Sequence, residues 1–163
     1  MINGTSLIFV KKKYKDGRDY EIFEPGWTDK IYYSIWNHFK LPCPFAFQSP
    51  KINQANIYLQ INGFCSECFN EIKISSYTEP NKIGIDLLIS TYDTSNVAHI
   101  KKRQLRGPMR EQVVNQVQAS SAYVWRQQHA ETRMNFGDRI PADLYNAEVL
   151  HTAKHQAKHK KLD

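Results

Sequence analysis

Asn56-Ile57-Tyr58-Leu59-Gln60-Ile61-Asn62-Gly63-Phe64-Cys65-Ser66-Glu67-Cys68-Phe69-Asn70-Glu71-Ile72-Lys73-Ile74-Ser75-Ser76 reads as two strands joined by a Cys-x-x-Cys turn. Ile57, Leu59 and Ile61 share one side of the first run, and Ile72 and Ile74 alternate with Glu71, Lys73 and Ser75 in the second. A period of two is the mark of a half-buried strand. A short turn between two strands can aim both sulfurs at one ion, which is why this pair suits a metal. Gly63 is expected to supply the permissive backbone such a knuckle needs.

Outward from the turn, Cys43 and His99 complete the pattern C-x21-C-x2-C-x30-H, and these three cysteines are all that the chain has. Structural zinc takes four tetrahedral thiolate or imidazole donors, and Cys3His is a common set. Cys43, Cys65, Cys68 and His99 are therefore the expected Zn2+ ligands. The competing reading makes Cys43 an ordinary buried thiol and His99 an ordinary strand histidine. A redox role for Cys65 and Cys68 is disfavoured, since no βαβ pattern surrounds them. An odd cysteine count fits reduced or metal-bound thiols better than a disulfide framework.

Further strands are predicted over residues 6–10, 19–23, 44–48 and 83–92, with an Asp16-Gly17 turn between the first two. A last short strand is predicted to carry His99 into Ile100. Thr28 is expected to cap a helix over 29–39, with Ile31, Ile35 and Phe39 on one face and Tyr32 and Trp36 beside them. From Gly107-Pro108 the period changes to helical. Pro108 suits a first helical position, and Met109, Val113 and Val117 form one stripe. Ser120 or Ser121 can cap a second helix over 122–135, with Val124, Trp125 and Ala130 apolar and Gly137 as its stop. Asn146 can cap a third, reaching residue 160. The expected class is α+β: a small antiparallel, zinc-stapled sheet followed by a short helical segment. The expected parts are a hairpin and helix (1–40), the zinc-binding β module (41–106) and the helical segment with a basic tail (107–163).

Charge separates the halves. Residues 1–99 carry ten Lys/Arg and ten Asp/Glu, whereas residues 100–163 carry twelve against six, so the whole excess of +6 lies there. Lys101, Lys102, Arg103, Arg106 and Arg110 crowd one acid-free run beside the last ligand. A zinc module abutting such a strip points to a polyanionic partner, DNA or alternatively RNA. The bland alternative is a solvated linker, leaving a structural or protein-interaction module, with residues 108–136 docking a protein partner or a second copy.

Other classes fall away. Glycine-rich phosphate loops, G-x-S-x-G and H-E-x-x-H are missing from the sequence. Asp86, Asp93 and Asp138 are scattered, and Asp138 suits a local capping role after Gly137. No carboxylate pair suggests metal-assisted hydrolysis, so the chain is expected not to be an enzyme. His151, His155 and His159 recur at helical spacing among lysines and read as a polar basic tail. No apolar run approaches ~20 residues, so no membrane span is expected. The N-terminus does not read as a secretory signal, and a nuclear or cytoplasmic location is expected.

Cys43-Pro44-Phe45, Cys65-x-x-Cys68 and His99-x-Lys101-Lys102-Arg103-Gln104-Leu105-Arg106-Gly107 stand in one order. Val124-Trp125-Arg126, Met134-Asn135-Phe136-Gly137-Asp138, Leu144-Tyr145 and Val149-Leu150 follow. This set resembles the N-terminal region of insect Mutator-like transposase proteins, including the NOF type of Foldback elements, over residues 40–160. The resemblance implies a segment upstream of a DDE catalytic domain. It also implies a DNA-reading zinc sheet of the broad WRKY, glial-cells-missing and FLYWCH kind. Those modules commonly end in His-x-His or His-x-Cys, whereas here His99 is followed by Ile100 and Lys101. Transposase activity is not expected of these 163 residues.

Overall fold

A computed structural model describes residues 2–5, 9–13, 19–54, 56–80 and 84–159. In chain order the elements are β1 (Ile2–Thr5), β2 (Phe9–Lys13), β3 (Asp19–Phe23), α1 (Trp27–Phe39), β4 (Ala46–Phe47), β5 (Lys51–Gln54), β6 (Ile57–Phe64), β7 (Glu71–Ser76), β8 (Ile85–Thr91), α2 (Gly107–Ala119), α3 (Ala122–Arg133) and α4 (Ala147–His159). The class is α+β, as the periodicities indicate. The predicted turn at Asp16-Gly17 and the first residues of the predicted strands at 6–10 and 83–92 lie outside the described residues.

The six-stranded sheet runs β1-β8-β7-β6-β4, with β5 following β4 along the same strand, and every pairing is antiparallel. β2 and β3 form a separate hairpin. Ile61, Ile74 and Ile89 stand in register across three strands. With Leu59, Ile72, Ile85 and Leu87 they build one face, and Ile31 and Ile35 of α1 pack on it. Gly63 lies inside β6, opposite Phe47 and Ile72. A Cβ there would stand 2.8 Å from the Phe47 ring and 2.9 Å from the Ile72 side chain. Its smallness thus serves strand packing, which corrects the expectation of a flexible knuckle residue.

α1 begins at Trp27, immediately after Gly26 in a left-handed conformation (φ 91°), with no side-chain cap. The Pro25-Gly26 turn, rather than Thr28, sets its start. Its apolar stripe stops at Ile35. Phe39 is exposed because the chain reverses at Lys40 (φ 54°) and buries Leu41 instead.

The other face of α1 is also covered. Tyr32 and Trp36 pack with Ala142. Trp36 Nε1 donates to the Arg133 carbonyl at 3.2 Å, and Ala142 N donates to the Tyr32 hydroxyl at 2.7 Å. Arg133 pairs with Asp143 and lies 4.8 Å over the Tyr33 ring. A second core joins Val113 and Val117 of α2 to Trp125 of α3, Leu150 of α4, and Leu144 and Tyr145. Ser121 caps α3 by accepting Val124 N at 3.1 Å, while Val124 itself faces outward. α3 ends at Arg133, before Gly137 can stop it. Gly137 (φ 90°) serves the next turn, which Asp138 closes by accepting Asn135 N.

Candidate metal centre

The alternation around residues 56–76 makes β6 and β7 a hairpin, so Cys65 and Cys68 sit in its turn. Phe69 N donates to the Cys65 carbonyl and Cys65 N to the Asn70 carbonyl, both at 2.9 Å, which closes the knuckle. Phe69 takes a left-handed conformation (φ 59°) to allow this. Cys43 arrives from the irregular segment before β4. His99 comes from the loop after β8, not from the predicted strand. An irregular loop suffices because its geometry is set by side-chain ties rather than by a ladder.

These four residues converge. The three sulfurs and an imidazole nitrogen all lie within 4.8 Å of one another and could hold a metal ion. Cys43 Sγ is 3.5 Å from Cys68 Sγ and 3.4 Å from His99 Nε2. His99 Nδ1 lies 2.9 Å from the Val97 carbonyl. That carbonyl accepts only from a protonated Nδ1, so the lone pair stays on Nε2, which faces the sulfurs. Metal-bound histidines are oriented in this way.

Electrostatics differ among the thiols. Burial pushes Cys43 well above the usual thiol range and raises Cys65. Burial also acts to raise Cys68, but its hydrogen-bonding contacts with His99, the Asn70 N–H, Cys43 and Cys65 outweigh it and bring Cys68 to about 7. One candidate donor is thereby poised toward the thiolate, the form that binds metal.

The surroundings contain groups that spacing did not reveal. Buried Thr94 places Oγ1 3.0 Å from Cys43 Sγ. Asn70 donates Nδ2 to the Tyr92 carbonyl at 3.0 Å, tying the knuckle to the loop that brings Thr94 and His99. Glu67 accepts the backbone N–H groups of Ile100 and Lys101 at 2.9 and 3.0 Å. Those two bonds hold the Glu67 carboxyl below its usual range.

The cationic strip begins there and its members diverge. Lys101 is exposed, with Nζ 3.3 Å from Ser66 Oγ and carbonyl oxygen. Lys102 is half-buried, donates to the Pro141 carbonyl at 3.1 Å and is pushed down by that burial. Arg103 turns inward: it pairs with Asp29 at 3.0 Å, donates to the Phe45 carbonyl and lies over the Tyr32 ring. Arg106 is exposed at the start of α2, and Arg110 reaches Gln156 of α4. Ser66, Lys101, Arg106 and Phe47 border an open groove of about 460 Å³, with Arg103 also in its lining. His155 and His159 are exposed on α4, far along the chain from the cluster.

No family model matches the chain, and no solved structure matches it. Over 145 residues it is 31% identical to the 120.7 kDa protein in the NOF-FB transposable element of Drosophila melanogaster. The match covers 87% of this chain and 14% of that protein, so the chain corresponds to a small part of its relative.

Proposed function

We propose that this chain is a zinc-dependent DNA-binding module derived from a Mutator-like transposase, without catalytic activity of its own. The observation that carries the reading is the coupling of the donor cluster to the cationic strip. His99 closes the cluster, and Glu67 of the knuckle holds the next two backbone N–H groups. A metal that orders the knuckle thereby orders the start of the strip.

Zinc suits the donors. Tetrahedral zinc with Zn–S of about 2.3 Å and Zn–N of about 2.0 Å places sulfurs about 3.8 Å apart and sulfur and nitrogen about 3.5 Å apart. The separations of 3.5 and 3.4 Å are of this size. Four protein donors complete the tetrahedron, the mark of structural rather than catalytic zinc. Bound there, zinc would cross-link the hairpin, the segment before β4 and the His99 loop. The relative from a transposable element supports a DNA partner and hence a nuclear location, with RNA the second polyanion.

The test is DNA binding by the purified chain, measured across salt with and without a chelator. Each phosphate contact adds about −0.9 to the log–log salt slope. Replacing the outward cations, Lys101→Gln with Arg106→Gln, should weaken binding to all sequences and flatten the slope by about 2. Salt-insensitive or chelator-insensitive binding would count against the reading. A protein-interaction module is the second reading, favoured by the inward commitment of Lys102 and Arg103. Exposed Tyr123, Val124 and Phe136 would then serve a partner or a second copy.

A further inference from the structure

Phe69 holds a left-handed backbone conformation that glycine adopts freely and a bulky side chain does not. The conformation is needed by the knuckle: it lets Asn70 turn its N–H toward the Cys68 sulfur and its carbonyl toward Cys65 N. The phenyl ring is not needed by the knuckle, for it is 82% exposed. Strain kept at a site where the side chain gives the fold nothing points to a use outside the fold. The mount is rigid, since buried Asn70 is tied to Tyr92 and to Thr91. Ile100, 87% exposed, stands beside the ligand His99, and Glu67 ties it to the same knuckle. Lys101 follows, with its ammonium at Ser66 of the turn.

An exposed ring on a knuckle whose turn also holds the Lys101 ammonium fits a nucleic acid whose backbone phosphate meets that cation. A ring face stacks on a base only where that base is free of its own neighbours. Paired bases in a duplex offer only their edges to a groove. We propose that Phe69 stacks on an unpaired nucleobase of single-stranded DNA while Lys101, held at Ser66 of the same turn, meets the adjoining backbone. The inference rests on the DNA-binding reading and deepens it.

The experiment uses the full zinc-loaded chain, a fluorescein-labelled oligothymidine and a mixed-sequence duplex, with anisotropy as the readout. Phe69→Gly removes the ring and relaxes the backbone, so it keeps the fold. Phe69→Tyr retains a ring. The glycine variant should lose about tenfold in single-strand affinity, keep its salt slope and keep its duplex affinity. The tyrosine variant should bind as the parent does. Unchanged single-strand affinity in Phe69→Gly, or an equal loss on duplex, overturns the inference. A parent chain that binds duplex but not the oligothymidine overturns this inference alone. A parent that binds neither overturns the DNA reading and this one with it.

Discussion

Arg103 belongs by sequence to a run of cations and by structure to the interior. Its guanidinium meets Asp29 where both side chains are nearly excluded from water, at 9% and 13% exposure. Removing one partner of such a pair leaves the other charge buried and unpaired. Arg103→Gln should therefore cost about 3–5 kcal/mol in urea denaturation, whereas Lys101→Gln should stay within ~0.5 kcal/mol. Equal midpoints for the two variants would show that the pair contributes little. Thr94 makes the complementary point. Its hydroxyl sits against the Cys43 sulfur, so Thr94→Val should lower metal affinity about 10–100-fold in chelator competition without moving the ligands. The clustering of the four donors was legible because cysteine and histidine announce their chemistry by type. Thr94 was not, since a threonine 51 residues from its partner carries no mark of that contact.

Among the elements, periodicity located the helices well and their ends poorly. Ile31 and Ile35 of α1, and Val113 and Val117 of α2, follow the expected stripes into the two cores. Ends depend on local turns: Gly26 starts α1, and α3 stops before Gly137. Trp125 is buried at 4% exposure, donates Nε1 to Gln116 at 2.8 Å and stacks on His129. Trp125→Ala should cost about 3–5 kcal/mol by thermal or chemical unfolding. Retained stability with loss of self-association would instead make Trp125 part of an interface. The predicted strand at His99 failed for a related reason. The Glu67 carboxylate and the Val97 carbonyl shape that loop by holding Ile100 N and the His99 ring, and among the described residues no strand pairs with it.

At the scale of the molecule, α1 joins two cores: Ile31 and Ile35 enter the sheet, while Tyr32 and Trp36 meet residues 133–142. Stripping either neighbour bares one face of the same helix, so unfolding should be a single transition. Far-UV circular dichroism and tryptophan fluorescence should give coincident urea curves for the metal-loaded chain. Chelator should shift both together, because structural metal binding energy is folding energy. Separate transitions would show that the helical segment folds on its own. The sequence by itself determined the α+β class, the hairpin around Cys65 and Cys68 and the four donors, since alternation and ligand chemistry are local properties. Only the tertiary structure decided that Arg103 faces inward, that α1 is covered on both sides, and that Asn70, Glu67 and Thr94 frame the donors. Those facts depend on contacts between residues distant in the chain, and no local pattern encodes which distant surfaces will meet.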